Sequence, residues 1–186
     1  MTLTQLLPSL RRSIPDPLTP DLWPEYTTAS TTDVFVAGVS LLRLVDICQT
    51  PCLHTAAAVI PGTHGRPSLT DRATAIVVSI TSVTFTSTGT LCIRVDADLD
   101  SVRPILAEAR MIGRASTAHA TAAVLVLKDA EGDDPGVVEL LTSGLPCDIR
   151  VGDLLALPCR GELALRGIRR TQKEAAVDAA LTIPAM

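Results

Sequence analysis

Aromatic side chains are nearly missing from this chain: its 186 residues hold one Trp, one Tyr and two Phe. A core without rings must be filled by Val, Ile, Leu and Ala, and each ring present carries a large share of buried area. Basic runs are missing as well. No stretch of Lys or Arg exceeds two residues, lysine occurs only at Lys128 and Lys173, and the formal net charge is −4. That excludes an electrostatic footprint for nucleic acid or an anionic membrane surface. No apolar stretch approaches the roughly 20 residues that span a bilayer, and no basic segment precedes an apolar one at the N-terminus. The expectation is a cytoplasmic protein with neither nucleic-acid nor membrane partners. There is also no CxxC pair, no phosphate-cradling glycine loop, no GxSxG elbow and no HExxH.

Cysteine is present but in an odd set, Cys48, Cys52, Cys92, Cys147 and Cys159, and without an export signal these are expected to be reduced and mostly buried. Cys48 and Cys52 have only His54 nearby, short of the four ligands a zinc site wants, so no metal is expected. His64 and His119, each alone among small residues, read as surface imidazoles.

What the chain does have is apolar residues at 47% of the total, enough to bury one core. Residues 1–32 read as an arm: TLTQLLPSLRR allows a helical turn or two, and Pro15, Pro17, Pro20 and Pro24 deny a regular ladder. Trp23 and Tyr26 are expected to pin this arm to the body. From Asp33 the pattern becomes regular, with VFVAGV as strand and SLLRLVDIC as a helix capped by Ser40 and ended by QTP. Strands are then expected in CLHTAAAVIP, over 73–85, 90–98, 105–116, 121–129, 137–142 and 153–158, and in ELALRGI over 162–168. Many short strands at regular spacing predict a mainly all-β, Greek-key-like barrel or sandwich with a Pro-rich N-terminal arm and one or two short helices. The boundaries are an arm at 1–32, a single β-domain at 33–170 and a tail at 171–186 that reads equally as frayed helix or last strand.

Four phrases in order carry a resemblance. LLPSLRR…DPLTPDLWPE…DVFVAGVSLLRLVDICQTPCLHT, GRPSLTDRATAIVVSITSV, VDADLDSVRPILAEARMIGRAS and LPCDIRVGDLLALPCRGEL resemble the N-terminal segment and C-terminal β-domain of diaminopimelate decarboxylases, fold-type III enzymes that depend on pyridoxal phosphate. In that family a β/α barrel of about 250 residues lies between the two parts and carries the Schiff-base lysine. Here only the ten residues Thr55 to His64 stand in that place. Neither Lys128 nor Lys173 sits in a context resembling the cofactor lysine.

The resemblance carries over residue by residue. Thr63-His64-Gly65-Arg66 stands for the family's Glu-Pro-Gly-Arg, keeping the arginine and losing the acid. Arg103 matches the arginine of the Arg-Pro pair that grips a substrate carboxylate, while Ala107 replaces the tyrosine that follows. Glu131 corresponds to the acid of a subunit-crossing loop whose cysteine has become Ala130, and Gly161-Glu162-Leu163 lacks the cofactor-contacting tyrosine. Arg66, Arg103 and Glu131 are therefore the vestigial substrate-binding residues the resemblance implies. No catalytic residue and no bound pyridoxal phosphate are expected, since residues of a catalytic unit fail together.

Three functions follow as expectations: a non-catalytic β-domain, linked to lysine biosynthesis, that self-associates or docks on a full-length decarboxylase; a binding module for an amino acid or dicarboxylate using Arg66, Arg103 and Glu131; and, ranked last, an active decarboxylase. Loss of a barrel uncovers the apolar face it hid, which predicts a homo-oligomer. Asp96, Asp98 and Asp100 alternate as in a calcium loop, but the glycine at the sixth position and the glutamate at the twelfth are lacking.

Overall fold

The computed structural model describes residues 3–86, 89–128 and 137–168. Helix α1 (Leu3–Leu6) and 3₁₀ turns at Pro8–Arg12 and Pro20–Leu22 are the helical parts of the arm. Three short strands follow, β1 (Thr28–Ala29), β2 (Val34–Val36) and β3 (Val39–Ser40), which form a small antiparallel sheet. Helix α2 (Leu41–Cys48) begins where expected: the Ser40 hydroxyl accepts from the Arg43 amide at 3.0 Å, satisfying one of the helix's orphan donors. Gln49, at φ +61, ends it by donating its amide to the Val45 carbonyl at 2.8 Å. Asp33 locks helix to sheet. Its carboxylate accepts from the amides of Val34 (2.7 Å) and Leu42 (3.1 Å) and from the Ser40 hydroxyl (2.6 Å).

The main body is a seven-stranded sheet of β4 (Cys52–Val59), β5 (Pro67–Phe85), β6 (Leu91–Val95), β7 (Arg110–Ile112), β8 (Ala120–Lys128), β9 (Val137–Pro146) and β10 (Leu154–Arg160). Strand order is β7-β10-β5-β6-β8-β9, with β4 on the other edge of β5's first half. At about 3.3 Å per residue the 19 residues of β5 would outrun a domain of this size if straight. A register shift between Ile80 and Ser82 divides the strand, so its first half pairs with β4 and β10 and its second with β6. The pairing of β6 with β8 is parallel; every other pair in the sheet is antiparallel. A 3₁₀ turn at Leu106–Glu108 packs on β9 and leads directly into β7, bridging the sheet's two ends. The result is a nearly closed, barrel-like all-β fold, as expected.

Two cores share β5 and β10. Ile76, Val78, Ile80, Leu155 and Leu157 point into the barrel with Leu91, Ile93, Leu125 and Ile168. Ala75, Val77 and Ala156 face the opposite way, onto Trp23, Val34, Val36, Leu41 and Ile112. Strands buried on both faces read as unbroken apolar runs, which is why IVVSI and LLALPC show no alternation. The arm also covers an edge: the Glu25 amide donates to the Ala57 carbonyl at 2.8 Å, and Pro24 bridges Ala58, blunting the open side of β4.

Four expectations need correction. Residues 105–116 are not one strand: three of them, Arg110–Ile112, are in the ladder, after the 3₁₀ turn and before Gly113 at φ +93. ELALRGI is not a strand either. Its alternation is real, with Leu163 and Leu165 packed on the barrel core and Ile168 inside it, but among the described residues no strand pairs with it and Leu165–Gly167 closes into a 3₁₀ turn. Tyr26 does not pin the arm; it is 68% exposed with φ +51, while Trp23 is fully buried. Of the five cysteines only Cys52 and Cys159 are buried, and Cys48 and Cys147 are exposed. Burial pushes the Cys52 thiol up to about 11, with Cys48 and Asp96 adding to it, and the Cys159 thiol up to about 12, so both are poor nucleophiles.

Candidate functional site

Of the residues singled out from the sequence, Arg66 and Arg103 are described, and they lie in different loops. Arg66 is exposed in the β4–β5 turn, where its amide donates to the Thr63 hydroxyl at 3.2 Å and its carbonyl accepts from Ile60 at 2.8 Å. Arg103 is exposed in the loop after β6 at φ +46, its amide donating to the Leu99 carbonyl at 3.2 Å. Glu131 lies outside the described residues, as do Ala130, Lys173 and the tail from 171. The Asp-rich loop is spent on backbone: Asp96 accepts from the Ser79 amide at 2.8 Å and Asp98 from the Asp100 amide at 3.1 Å. Among the described residues no group of three or more His, Cys, Asp or Glu could hold a metal ion.

Charged side chains do converge elsewhere, around a cleft of about 290 Å³ between the arm and β7. One wall is arm, with Arg11 and residues 15–19; the other is the segment from Ala107 through Ser116, with Asp33 and Val34 closing one side. The walls are tied by Glu108, which is only 8% exposed. Its carboxylate accepts from the Trp23 indole N–H at 2.9 Å, the Thr19 amide at 3.1 Å and the Thr19 hydroxyl at 2.6 Å. A buried indole N–H needs an acceptor, and a buried carboxylate needs donors; each answers the other. On the arm itself Arg11 pairs with Asp16 at 3.1 Å and donates to the Ala118 carbonyl at 3.2 Å, while Asp16 also accepts from the Thr4 hydroxyl.

Past Gly113, Arg114 forms the other anchor. Its Nε and Nη2 fork onto Asp153 at 2.9 and 2.6 Å, and it reaches the Asp148 carboxylate at 3.1 Å and carbonyl at 2.9 Å. Two-point pairing of this kind is the strong form of an ion pair. It ties the end of β7 to the turn between β9 and β10, and it holds the guanidinium well above its usual range, chiefly through Asp153. Burial raises the Asp148 carboxyl, but the Ser116 hydroxyl at 2.5 Å and Arg114 outweigh it and leave it below its ordinary value.

Arg110 differs. Half-buried in the cleft wall, its Nη2 donates to the Pro17 carbonyl, and its Nε, shut off from solvent, has no hydrogen-bond partner among the described residues. Burial lowers its pKa, Glu108 and Asp16 partly oppose this, and Arg11 adds to the lowering. No carboxylate among the described residues comes within ion-pairing distance of it. An orphaned donor on a charged group costs about 1–3 kcal/mol or more, which works against the bond that the same side chain makes to the arm.

None of Arg11, Asp16, Glu108, Arg110 or Arg114 was picked out from the sequence as a site residue. One signal points to Glu108 in retrospect: a lone Trp in a ring-poor chain demands a polar partner once buried. No protein-family model, no curated protein and no solved structure matches this chain.

Proposed function

We propose that the chain is a non-catalytic β-barrel domain of the cytoplasm that holds a small organic molecule in the cleft between its arm and β7. The observation that carries this reading is Arg110, a cation set in the wall of a concave site and left without a carboxylate of its own. Concave sites with a few convergent polar groups are the usual places for small ligands. The binding-module expectation is kept, but its residues move from Arg66, Arg103 and Glu131 to the cleft. The resemblance to diaminopimelate decarboxylases supports descent from a domain whose chemistry lay in the β/α barrel, and on this reading pyridoxal phosphate does not bind here. The test is thermal unfolding against a panel of anionic, neutral and cationic metabolites, comparing wild type with Ala107→Trp. Ala107 is an exposed residue lining the cleft, so the ring fills the site without entering the core. At least one ligand class should raise Tm in wild type and fail to do so in the variant. Equal shifts in both, or none at millimolar ligand, overturn the reading.

A second reading, self-association or docking on a full-length decarboxylase, is favoured by Leu69. It is fully exposed at the crest of a bulge where Val59 pairs with Pro67 but Ala57 with Arg72, a place where a large apolar side chain earns nothing in an isolated domain. Sedimentation of wild type and Leu69→Glu, alone and mixed with a full-length diaminopimelate decarboxylase, decides it. Association that the substitution weakens supports it; a monomer that ignores the enzyme ends it.

A further inference from the structure

We infer that the cleft takes a ligand bearing a single small carboxylate, anchored on Arg110; this rests on the cleft being the binding site. The basis is the set of charges lining it. Arg11 is neutralised by Asp16, and Arg114 by Asp148 and Asp153. Asp33 is occupied by Ser40 and the amides of Val34 and Leu42, and Glu108 by Trp23 and Thr19. Among the described cations of the cleft, Arg110 has no carboxylate in direct contact; its one hydrogen bond goes to the Pro17 carbonyl. A guanidinium stays charged at any physiological pH, and a half-buried cation whose nearest carboxylates, Glu108 and Asp16, act on it without direct contact has room for an anion that pairs with it directly.

The class of anion follows from what surrounds Arg110. With Nε sealed from solvent and Nη2 on the Pro17 carbonyl, the Nη end of the guanidinium is left to meet a carboxylate by a charge-assisted hydrogen bond. A phosphate dianion would need further free cations or a ring of backbone amides, whereas Arg11 and Arg114 are already paired. Glu108 and Asp16 act on Arg110 electrostatically and would repel a second negative charge. At about 290 Å³ the cleft has room for roughly ten water-sized groups, which limits the ligand to a small metabolite. Because one wall is arm and the other is β7, the ligand touches both, and its binding favours the seated arm by simple linkage.

Trp23 is the chain's one tryptophan, and its indole N–H is bonded to Glu108, two residues from Arg110. The indole resonance in a ¹H–¹⁵N spectrum is therefore a reporter built into the site. The experiment titrates the full chain with propionate, propionamide, methylamine and inorganic phosphate, in wild type, Arg110→Met and Arg110→Lys. Propionate is expected to move the resonance saturably, with affinity about tenfold or more lower in Arg110→Met, as for loss of a charge-assisted hydrogen bond, and an intermediate loss in Arg110→Lys. Saturation by propionamide or methylamine, equal in all three proteins, keeps the cleft as a site but overturns the carboxylate. Phosphate binding that depends on Arg110 while propionate has none also overturns it. A resonance that no probe moves overturns both the inference and the reading beneath it.

Discussion

Arg110 and Arg114 lie four residues apart, line the same cleft, and have opposite surroundings. Arg114 is met by two carboxylates and a carbonyl at 2.6 to 3.1 Å; Arg110 has one carbonyl and a buried nitrogen with no partner among the described residues. The first arrangement is what a fold needs to hold a strand end to a turn. The second leaves a donor unmet, and that is the ground for proposing the cleft as a binding site. The difference teaches that a charged cleft in a small β-domain has to be read group by group: counting cations would put Arg110 and Arg114 together, and hydrogen-bond accounting separates them.

The largest expected effect breaks the paired side of this contrast. Arg114→Met should cost about 3 kcal/mol, because it leaves Asp153, 8% exposed, without its fork; urea unfolding at neutral pH measures it. Glu108→Gln comes next, at about 2 kcal/mol: the amide keeps one acceptor oxygen for three donors, all of them on the arm. Its signature is a loosened arm, read as faster hydrogen exchange at Thr19 and the Trp23 indole. Smaller still is the acid dependence of the Arg114 cluster. The Asp148 carboxyl sits below its unfolded value, so its contribution is present above about pH 4 and is lost as pH falls through the folded pKa. Asp148→Asn should flatten that acid limb of stability, by less than about 1 kcal/mol since the pair is partly exposed. Urea midpoints at neutral and acid pH, compared with wild type, test it.

Much of the fold is legible from residue patterns because each pattern has one physical use. Ser40 followed by apolar residues at helical spacing can only cap and bury a helix, and α2 begins and ends within a residue of that expectation. The run from 73 to 85 is strand throughout, though β5 starts earlier, at Pro67, because the bulge at Ser68–Asp71 is held by the Ser68 hydroxyl accepting from the Thr70 and Asp71 amides. Alternation in ELALRGI correctly marks a face to bury, but a strand also needs a partner edge, which is a property of the whole sheet. The site was far less legible. Its walls are tied by Glu108, which meets Trp23 across 85 residues of chain, and nothing local to either segment specifies that meeting. Arg66 and Arg103 stood out through resemblance, and the loops that carry them lead to the surface.

The central claim is that Arg110 is held for binding and Arg114 for stability, and parallel urea unfolding of Arg110→Met and Arg114→Met tests it most directly. Arg110→Met should lie within about 1 kcal/mol of wild type, since it removes an orphaned buried donor and keeps the apolar stem, while Arg114→Met falls by about 3 kcal/mol. Equal losses in the two variants would mean that Arg110 is structural after all, and would contradict the account.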